Sequence, residues 1–388
     1  MPSPGGICRT EFTRRIPGSA DPTSRAIPTR SVGSTMPFSQ LGVPLALLVI
    51  TTSGVLGVLF APSLDTMVVR VGADRPGKGW MATGLGLGWV LLSMAVILGG
   101  CQQIPYVQPD PVSLWIRLGY HGVLLALLLM ATWIDLRHTE IPDGITIPGT
   151  LIGVAAATLS GDLQMIHLWM DWNPVSEQLH GGNVVIPEWI REHRHWHGLA
   201  WSTAGMACGG GLTWLVRAVS RWVLGREALG LGDVTLMAMI GSFVGWQPVL
   251  FIFLLAPFCG IVVGVLARML TNRPFVPYGP FLATAAALVL LAWRWIWLFP
   301  HDAPRGGFAV RNLFGDAVSL AILSGSSLAA FCGLLAIVRL YGTIPVRGRR
   351  LREQGEHRAT HPDSSSISES STSSEPDGAN PNRPASSS

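Results

Sequence analysis

Apolar stretches of roughly 20 residues recur along most of this chain, and short polar segments separate them. A helix needs about 20 apolar residues to cross a bilayer, so the pattern predicts an all-α, polytopic bundle of eight or nine transmembrane helices. The predicted helices cover residues 41–61, 82–101, 118–134, 145–160, 198–218, 234–246, 248–267, 280–299 and 316–340. The segment 234–246 is short for a crossing, and we expect a tight turn near Trp246–Pro248.

The composition agrees with a protein that lies in a lipid bilayer. Of the 388 residues 49% are hydrophobic and 13% are charged, whereas a soluble domain carries about a quarter charged residues. The five cysteines are too far apart for a C-x-x-C pair, which favours buried, unpaired thiols. No feature of the composition indicates a nucleic-acid partner.

The two ends of the chain differ from its apolar middle. Residues 1–40 contain five arginines and no lysine, and we expect a disordered leader there, with Met36 as an alternative start. The serine-rich segment 346–388 is predicted to be a disordered cytoplasmic tail. The membrane domain is therefore predicted to span residues 41–345.

Basic residues predict which side of the membrane each loop faces. Arginine and lysine concentrate in segments 62–81, 219–232 and 268–279 and at the start of the tail, near residue 347. All four fall on one side if the helices alternate, and the positive-inside rule makes that side the cytoplasm. The arginines of the leader would then lie outside, a conflict that a start at Met36 removes.

The predicted far-side loop 161–197 is rich in histidine. It contains His167, His180, His193, His195 and His197. Alternate histidines can bind a metal, but no cysteine or carboxylate pattern completes a standard site, so the segment favours solvated histidines and predicts no metal. The sequence does not show what this loop does.

Two aspartates stand at predicted helix boundaries on the cytoplasmic side. Asp135 ends one apolar run and Asp233 begins another. An ionisable residue at the edge of the membrane is a functional candidate. Two carboxyl groups at close range share one proton, so one can activate a water while the other polarises a carbonyl. This is the arrangement of an aspartic protease.

Glycines come immediately before the second aspartate, in "GLGD". Gly230 and Gly232 allow the backbone to bend and to approach another segment closely, and the N-terminal helix dipole favours the ionised form of Asp233. The simpler interpretation makes Asp233 a helix cap and Asp135 an interfacial carboxylate. For either aspartate considered alone, we favour that simpler interpretation. Two aspartates at the same depth in the membrane favour a catalytic pair.

Three motifs resemble those of the type IV prepilin peptidase family, which are bacterial inner-membrane aspartic peptidases. They are "IDLRHTEIPDGITIPGTLIG" (134–153), "GREALGLGDVTLMAMIGSFVGW" (225–246) and "VPYGPFLATAA" (276–286), in this order. The resemblance covers about residues 118–292. It implies an endopeptidase that removes the basic leader from type IV prepilins or pseudopilins at the cytoplasmic face of the inner membrane, without a cofactor.

The resemblance also implies roles for single residues. Asp135 and Asp233 match the catalytic aspartates of the family. Asp143 matches a frequent motif residue, and we expect it to cap the helix that follows. The residues expected to support the motifs are Gly230, Gly232, Pro142, Asp143, Pro277, Gly279 and Pro280.

The chain departs from the family pattern at two places. Thr235 stands where the family commonly has a lysine, so we expect a nearby positive charge to be lost. The segment 62–81 has no cysteine where the bifunctional members carry a four-cysteine region, which makes N-methyltransferase activity doubtful.

Three alternative functions remain open. A presenilin-like intramembrane protease would share the G-x-G-D motif, but Ile134 precedes Asp135 where that group has tyrosine, and Pro277-Tyr-Gly-Pro280 differs from its Pro-Ala-Leu motif. A transporter would also place carboxylates between helices, and an inactive scaffold would keep the fold alone. The sequence identifies neither the prepilin nor the oligomeric state.

Overall fold

The structure is a computed structural model that describes residues 43–76, 79–104, 107, 111–170, 175, 179, 186–225, 229–271, 277–299 and 310–325. The predicted leader 1–40 and the predicted tail 346–388 lie outside the described residues, as does most of the predicted helix 316–340. The described residues are mostly helical. Its α-helices are α1 (Val43–Arg70), α2 (Trp80–Ile97), α3 (Pro111–His138), α4 (Asp143–Ser160), α5 (Glu188–Glu192), α6 (Arg194–Leu224), α7 (Leu231–Val244), α8 (Trp246–Thr271) and α9 (Gly279–Trp297).

A 3₁₀-helix (Val310–Phe314) follows α9, and residues 317–325 are again helical. The described residues contain no β-strand, so the prediction of an all-α bundle is confirmed. Within them α1, α2, α3 from Val112 onward and α9 are long and apolar enough to cross a membrane. The chain is a membrane protein.

The prediction of a loop at residues 62–81 is wrong for residues 62–70. Helix α1 continues through Pro62 to Arg70, and the connection to α2 is residues 71–79. The apolar residues after Pro62 still have a packing partner, since Val68 is fully buried. That packing holds the helix together through the proline, which transmembrane helices tolerate.

The predicted loop 161–197 is also partly helical. Helix α5 lies inside it, and α6 begins at Arg194, so His195 and His197 lie in a helix. The turn predicted near Trp246–Pro248 is present one residue earlier: Gly245 alone separates α7 from α8, with a φ of 82°.

Helix α7 lies at the centre of the bundle. Leu236, Met237, Met239, Ile240 and Phe243 have no exposed surface. Helix α6 packs closely against α7 at three glycines, Gly205, Gly209 and Gly241. A methyl group added at any of them would overlap the backbone of the facing helix. This close packing of small residues fixes the position of the N-terminus of α7.

One end of the bundle, which we call the site end, contains the residues that follow α1, the α3–α4 connection and the starts of α7 and α9. The last turns of α3 pack there against the α1–α2 connection: Trp133 lies 5.8 Å from Trp80 between ring centroids, and its indole N–H donates to the carbonyl of Asp74 at 3.3 Å. The start of α9 reaches the same place, since the Gly279 N–H donates to Asp135. The site end therefore gathers residues from the whole length of the described chain.

Candidate active site

Asp135 lies in the last turn of α3 and is only 4% exposed. One carboxylate oxygen, Oδ2, accepts the backbone N–H of Gly279 at 3.0 Å. A Cβ at position 279 would overlap that oxygen and lie 2.9 Å from Cδ1 of Ile141. The glycine is thus required for α9 to begin directly beside the carboxyl group.

Asp233 lies in the first turn of α7 and is 8% exposed. Its Oδ2 accepts the backbone N–H of Gly230 at 3.0 Å. This bond satisfies a polar group at the start of the helix, where backbone N–H groups have no partner within the helix. The side chain is held by its own turn rather than by a distant segment.

Both carboxyl groups line one cavity of about 440 Å³, and they are close enough to interact electrostatically. The cavity lies between the α3–α4 connection and the start of α7. Its lining residues are Asp135, Thr139, Glu140, Ile141, Pro142, Asp143, Gly230, Leu231, Gly232 and Asp233. The volume falls in the range of sites that hold a small ligand or a short piece of a larger one.

The two glycines of "GLGD" have different roles. A Cβ at Gly232 would lie 2.9 Å from Cβ and 3.1 Å from the carbonyl oxygen of Ile141, which is closer than real side chains pack. At Gly230 the nearest atom would be Asp233 Oδ2 at an ordinary 3.6 Å, and its φ of −72° suits any residue. A close approach of the backbone to another segment was expected at both glycines, and only Gly232 permits one, to Ile141. Gly230 instead contributes the backbone N–H that Asp233 accepts.

Sequence reasoning missed Ile141. This residue is 9% exposed, and it contacts the positions where Gly232 and Gly279 lack side chains. It therefore joins the start of α7 and the start of α9 to the α3–α4 connection. The sequence did contain a signal for it: Ile141 is an apolar residue in an otherwise polar turn, and the following Pro142 favours an extended backbone at Ile141.

The expected capping role of Asp143 is wrong. Pro142 occupies the N-cap position of α4, and no side chain makes a capping hydrogen bond there. Asp143 is the first residue of the helix and is exposed at the cavity, where its charge suits the helix dipole. In the third motif, Pro277 and Pro280 are buried, and Pro280 lies in the first turn of α9.

The site does not lack a positive charge, contrary to the expectation drawn from Thr235. The Thr235 hydroxyl donates to the carbonyl of Gly232 at 3.1 Å. Arg217 on α6 donates to the carbonyl of Leu229 at 3.5 Å and interacts electrostatically with Asp233. The cation comes from a neighbouring helix.

The described histidines of segment 161–197 lie at the opposite end of the bundle. The rings of His167 and His197 are 5.3 Å apart, and Nε2 of His197 accepts the N–H of Leu168 at 3.0 Å. No three potential metal-binding side chains cluster within the described ranges, while His180 lies outside them.

The region that carries both aspartates matches a known family model. The model of the type IV leader peptidase family covers residues 122–179 and 189–265. This region is similar to the type IV leader peptidase family. The match runs from the middle of α3 into α8, so it includes Asp135 and Asp233, and it ends before the start of α9.

Curated relatives of this family region carry the name prepilin leader peptidase/N-methyltransferase. The protein of Aeromonas salmonicida strain A449 is 27% identical over 179 residues, which are 44% of this chain and 50% of that protein. The protein of Myxococcus xanthus strain DK1622 is 32% identical over 152 residues, 39% of this chain and 35% of that protein. The chain thus spans about half or less of these relatives. No solved structure matches the chain.

Proposed function

We propose that this protein is a membrane aspartic endopeptidase that removes the basic leader peptide from type IV prepilins or pseudopilins. The observation that carries the proposal is that two nearly buried carboxyl groups from different helices line one cavity. The match to the leader peptidase family model and the names of the relatives support the same activity. N-methyltransferase activity is left out of the proposal, because the matched region covers only part of those relatives.

The surroundings of the two carboxyl groups suggest which of them acts as the base. Burial raises the pKa of Asp233, but the N–H that it accepts, the nearby Arg217 and the N-terminus of α7 each favour its carboxylate form. Asp135 then carries the proton of the pair. In this assignment Asp233 removes a proton from a water molecule as it attacks the scissile carbonyl, and Asp135 gives its proton to the carbonyl oxygen.

The resulting tetrahedral intermediate collapses when the leaving amine takes the proton held by Asp233. The new carboxyl group and amine then leave, and Asp135 regains a proton from the intermediate. Each carboxyl group ends the cycle in the protonation state in which it began. No other group is needed for the bond to be cleaved.

The proposed substrate fits the position of the site. Arg70, Arg75 and Arg137 are exposed at the site end, so we propose that this end faces the cytoplasm of the inner membrane. A prepilin has a basic leader in the cytoplasm and an apolar helix in the lipid, so the bond between them lies at the membrane boundary. The cavity lies at the same boundary in this orientation.

Purified protein in detergent, incubated with a synthetic prepilin, tests the proposal. Asp135→Asn and Asp233→Asn should each lower the rate of cleavage by about 10³-fold or more, because neither amide can exchange the proton. Both variants should fold, since the amide oxygen accepts the same bonds from Gly279 and Gly230. Asp74→Asn, an exposed carboxylate at the site end, is the matched control and should cleave normally. Normal cleavage by either of the first two variants would contradict the mechanism.

A further inference from the structure

Two successive residues at the start of α9 interact with the carboxyl pair, one with each carboxyl group. The N–H of Gly279 donates to Asp135. The side chain of Tyr278, the preceding residue, lies close enough to Asp233 to interact with it electrostatically. The start of α9 is thus placed to act on both carboxyl groups.

The aromatic ring of Tyr278 has a packing role, but its hydroxyl does not. The ring packs against Val216, Leu229 and Phe253 and meets Phe281 edge-on at 5.9 Å between centroids. The hydroxyl oxygen is buried and has no hydrogen-bond partner among the described residues. A buried, unpaired hydroxyl destabilises the folded state, and phenylalanine would fill the same space without that cost.

We propose that Tyr278 is a positioning residue whose hydroxyl donates a hydrogen bond to Asp233 when the cavity is occupied. The proposal rests on the function proposed above, in which Asp233 is the base. Hydrogen bonds of this kind are often long in an empty site and tighten when the substrate binds. The donated bond stabilises the carboxylate and fixes its orientation toward the water that it activates.

Several other groups act on Asp233 from the surrounding elements. They are the carboxyl group of Asp135 on α3, the guanidinium of Arg217 on α6 and the N–H of Gly230. The thiol of Cys259 on α8 interacts with Tyr278 itself. Replacing Tyr278 by phenylalanine changes none of these charges, so its effect reports the hydroxyl alone.

The test compares Tyr278→Phe with Tyr120→Phe. The Tyr120 hydroxyl lies 3.1 Å and 3.0 Å from the carbonyl oxygens of Gly153 and Ser242, deep in the bundle, and shares its one proton between them. Its loss should therefore lower the melting temperature and leave the pH profile in place. Tyr278→Phe should keep the melting temperature or raise it. Its maximal rate should fall roughly 3- to 10-fold with KM unchanged, and the acidic limb of its pH–rate profile should move to higher pH by on the order of half a unit.

The direction of that shift follows from the hydrogen bond. A donor stabilises the ionised form, so Asp233 without the donor holds its proton up to a higher pH. A Tyr278→Phe variant with the rate and pH profile of the wild type would overturn the proposal. A lower rate together with a lower melting temperature and an unchanged acidic limb would also overturn the proposal. That combination would show that the hydroxyl affects the rate only through the packing of the protein.

A measurement without substrate separates this inference from the proposed peptidase activity. Infrared spectroscopy can follow the titration of Asp233 in the Asp135→Asn background, with and without Tyr278→Phe. The inference predicts a higher titration midpoint in the phenylalanine variant, and identical midpoints would overturn it. If the wild-type protein did not cleave prepilin, the proposed function would be refuted. The titration of Asp233 would still test the role of Tyr278, because it needs no substrate.

Discussion

Gly279→Ala perturbs the contact that holds Asp135. The new methyl group would occupy the position of Oδ2 and press on Ile141. The backbone at residue 279 is not in the left-handed region, so alanine can adopt its conformation. Any effect on activity then comes from the displaced carboxyl group and not from backbone strain.

The expected loss can be estimated from that geometry. A hydrogen bond to a neutral acceptor is worth about 0.5–1.5 kcal/mol, and moving a reacting group by about 1 Å costs about 10²-fold in rate. The displacement of the carboxyl group is the larger effect, so we expect a rate about 100-fold lower. The rate is measured as prepilin cleavage by purified protein in detergent, with the melting temperature recorded in parallel.

Gly230→Ala is the comparison variant for this experiment. Its methyl group would meet only ordinary contacts, and alanine keeps the N–H that Asp233 accepts. We expect its rate to fall by less than about threefold, equivalent to about 0.7 kcal/mol. Gly279→Ala cleaving within threefold of the wild type would refute the reasoning, because the contact would then be irrelevant to the position of Asp135.

Three further predictions follow from the same geometry. The wild-type rate should be bell-shaped in pH, because the pair works with one proton and fails with two or none; a flat profile from pH 4 to 9 would contradict the shared-proton mechanism. Arg217→Gln should move the acidic limb to higher pH, since the lost cation favoured the Asp233 carboxylate, whereas Arg217→Lys should restore it; identical profiles for the two variants would argue against the electrostatic role. Gly209→Ala should lower the melting temperature because its methyl group would strike the backbone of α7, whereas Gly211→Ala meets open space and should stabilise α6 by about 0.5–1 kcal/mol; equal melting temperatures would show that the two helices can move apart.

Hydrophobic patterning was sufficient to predict most of the fold. A run of about 20 apolar residues has few alternatives in a membrane, and alternating helices place Asp135 and Asp233 at one end by counting alone. The errors come from local signals that tertiary packing overrode. The first helix was predicted to end at residue 61, but buried Val68 lies in the same helix, beyond Pro62.

The site was less predictable than the fold, because its contacts join distant parts of the chain. Arg217 acts on Asp233 from a different helix, and no local motif indicates this. Ile141 looks like an ordinary turn residue until Gly232 and Gly279 are brought against it. Capping was predicted for Asp143 from residue type alone, but the cap position belongs to Pro142.

The central claim of this account is that Asp135 and Asp233 meet across one cavity. Cross-linking of the Asp135→Cys/Asp233→Cys variant with a short bifunctional thiol reagent, in a background without the native cysteines, tests it most directly. The account predicts a cross-linked peptide pair by mass spectrometry, and no such pair from Asp135→Cys/Gly211→Cys, since a Cβ added at Gly211 would face open space. Thiols at positions 135 and 233 that each react with the reagent but are never linked to each other would contradict the claim.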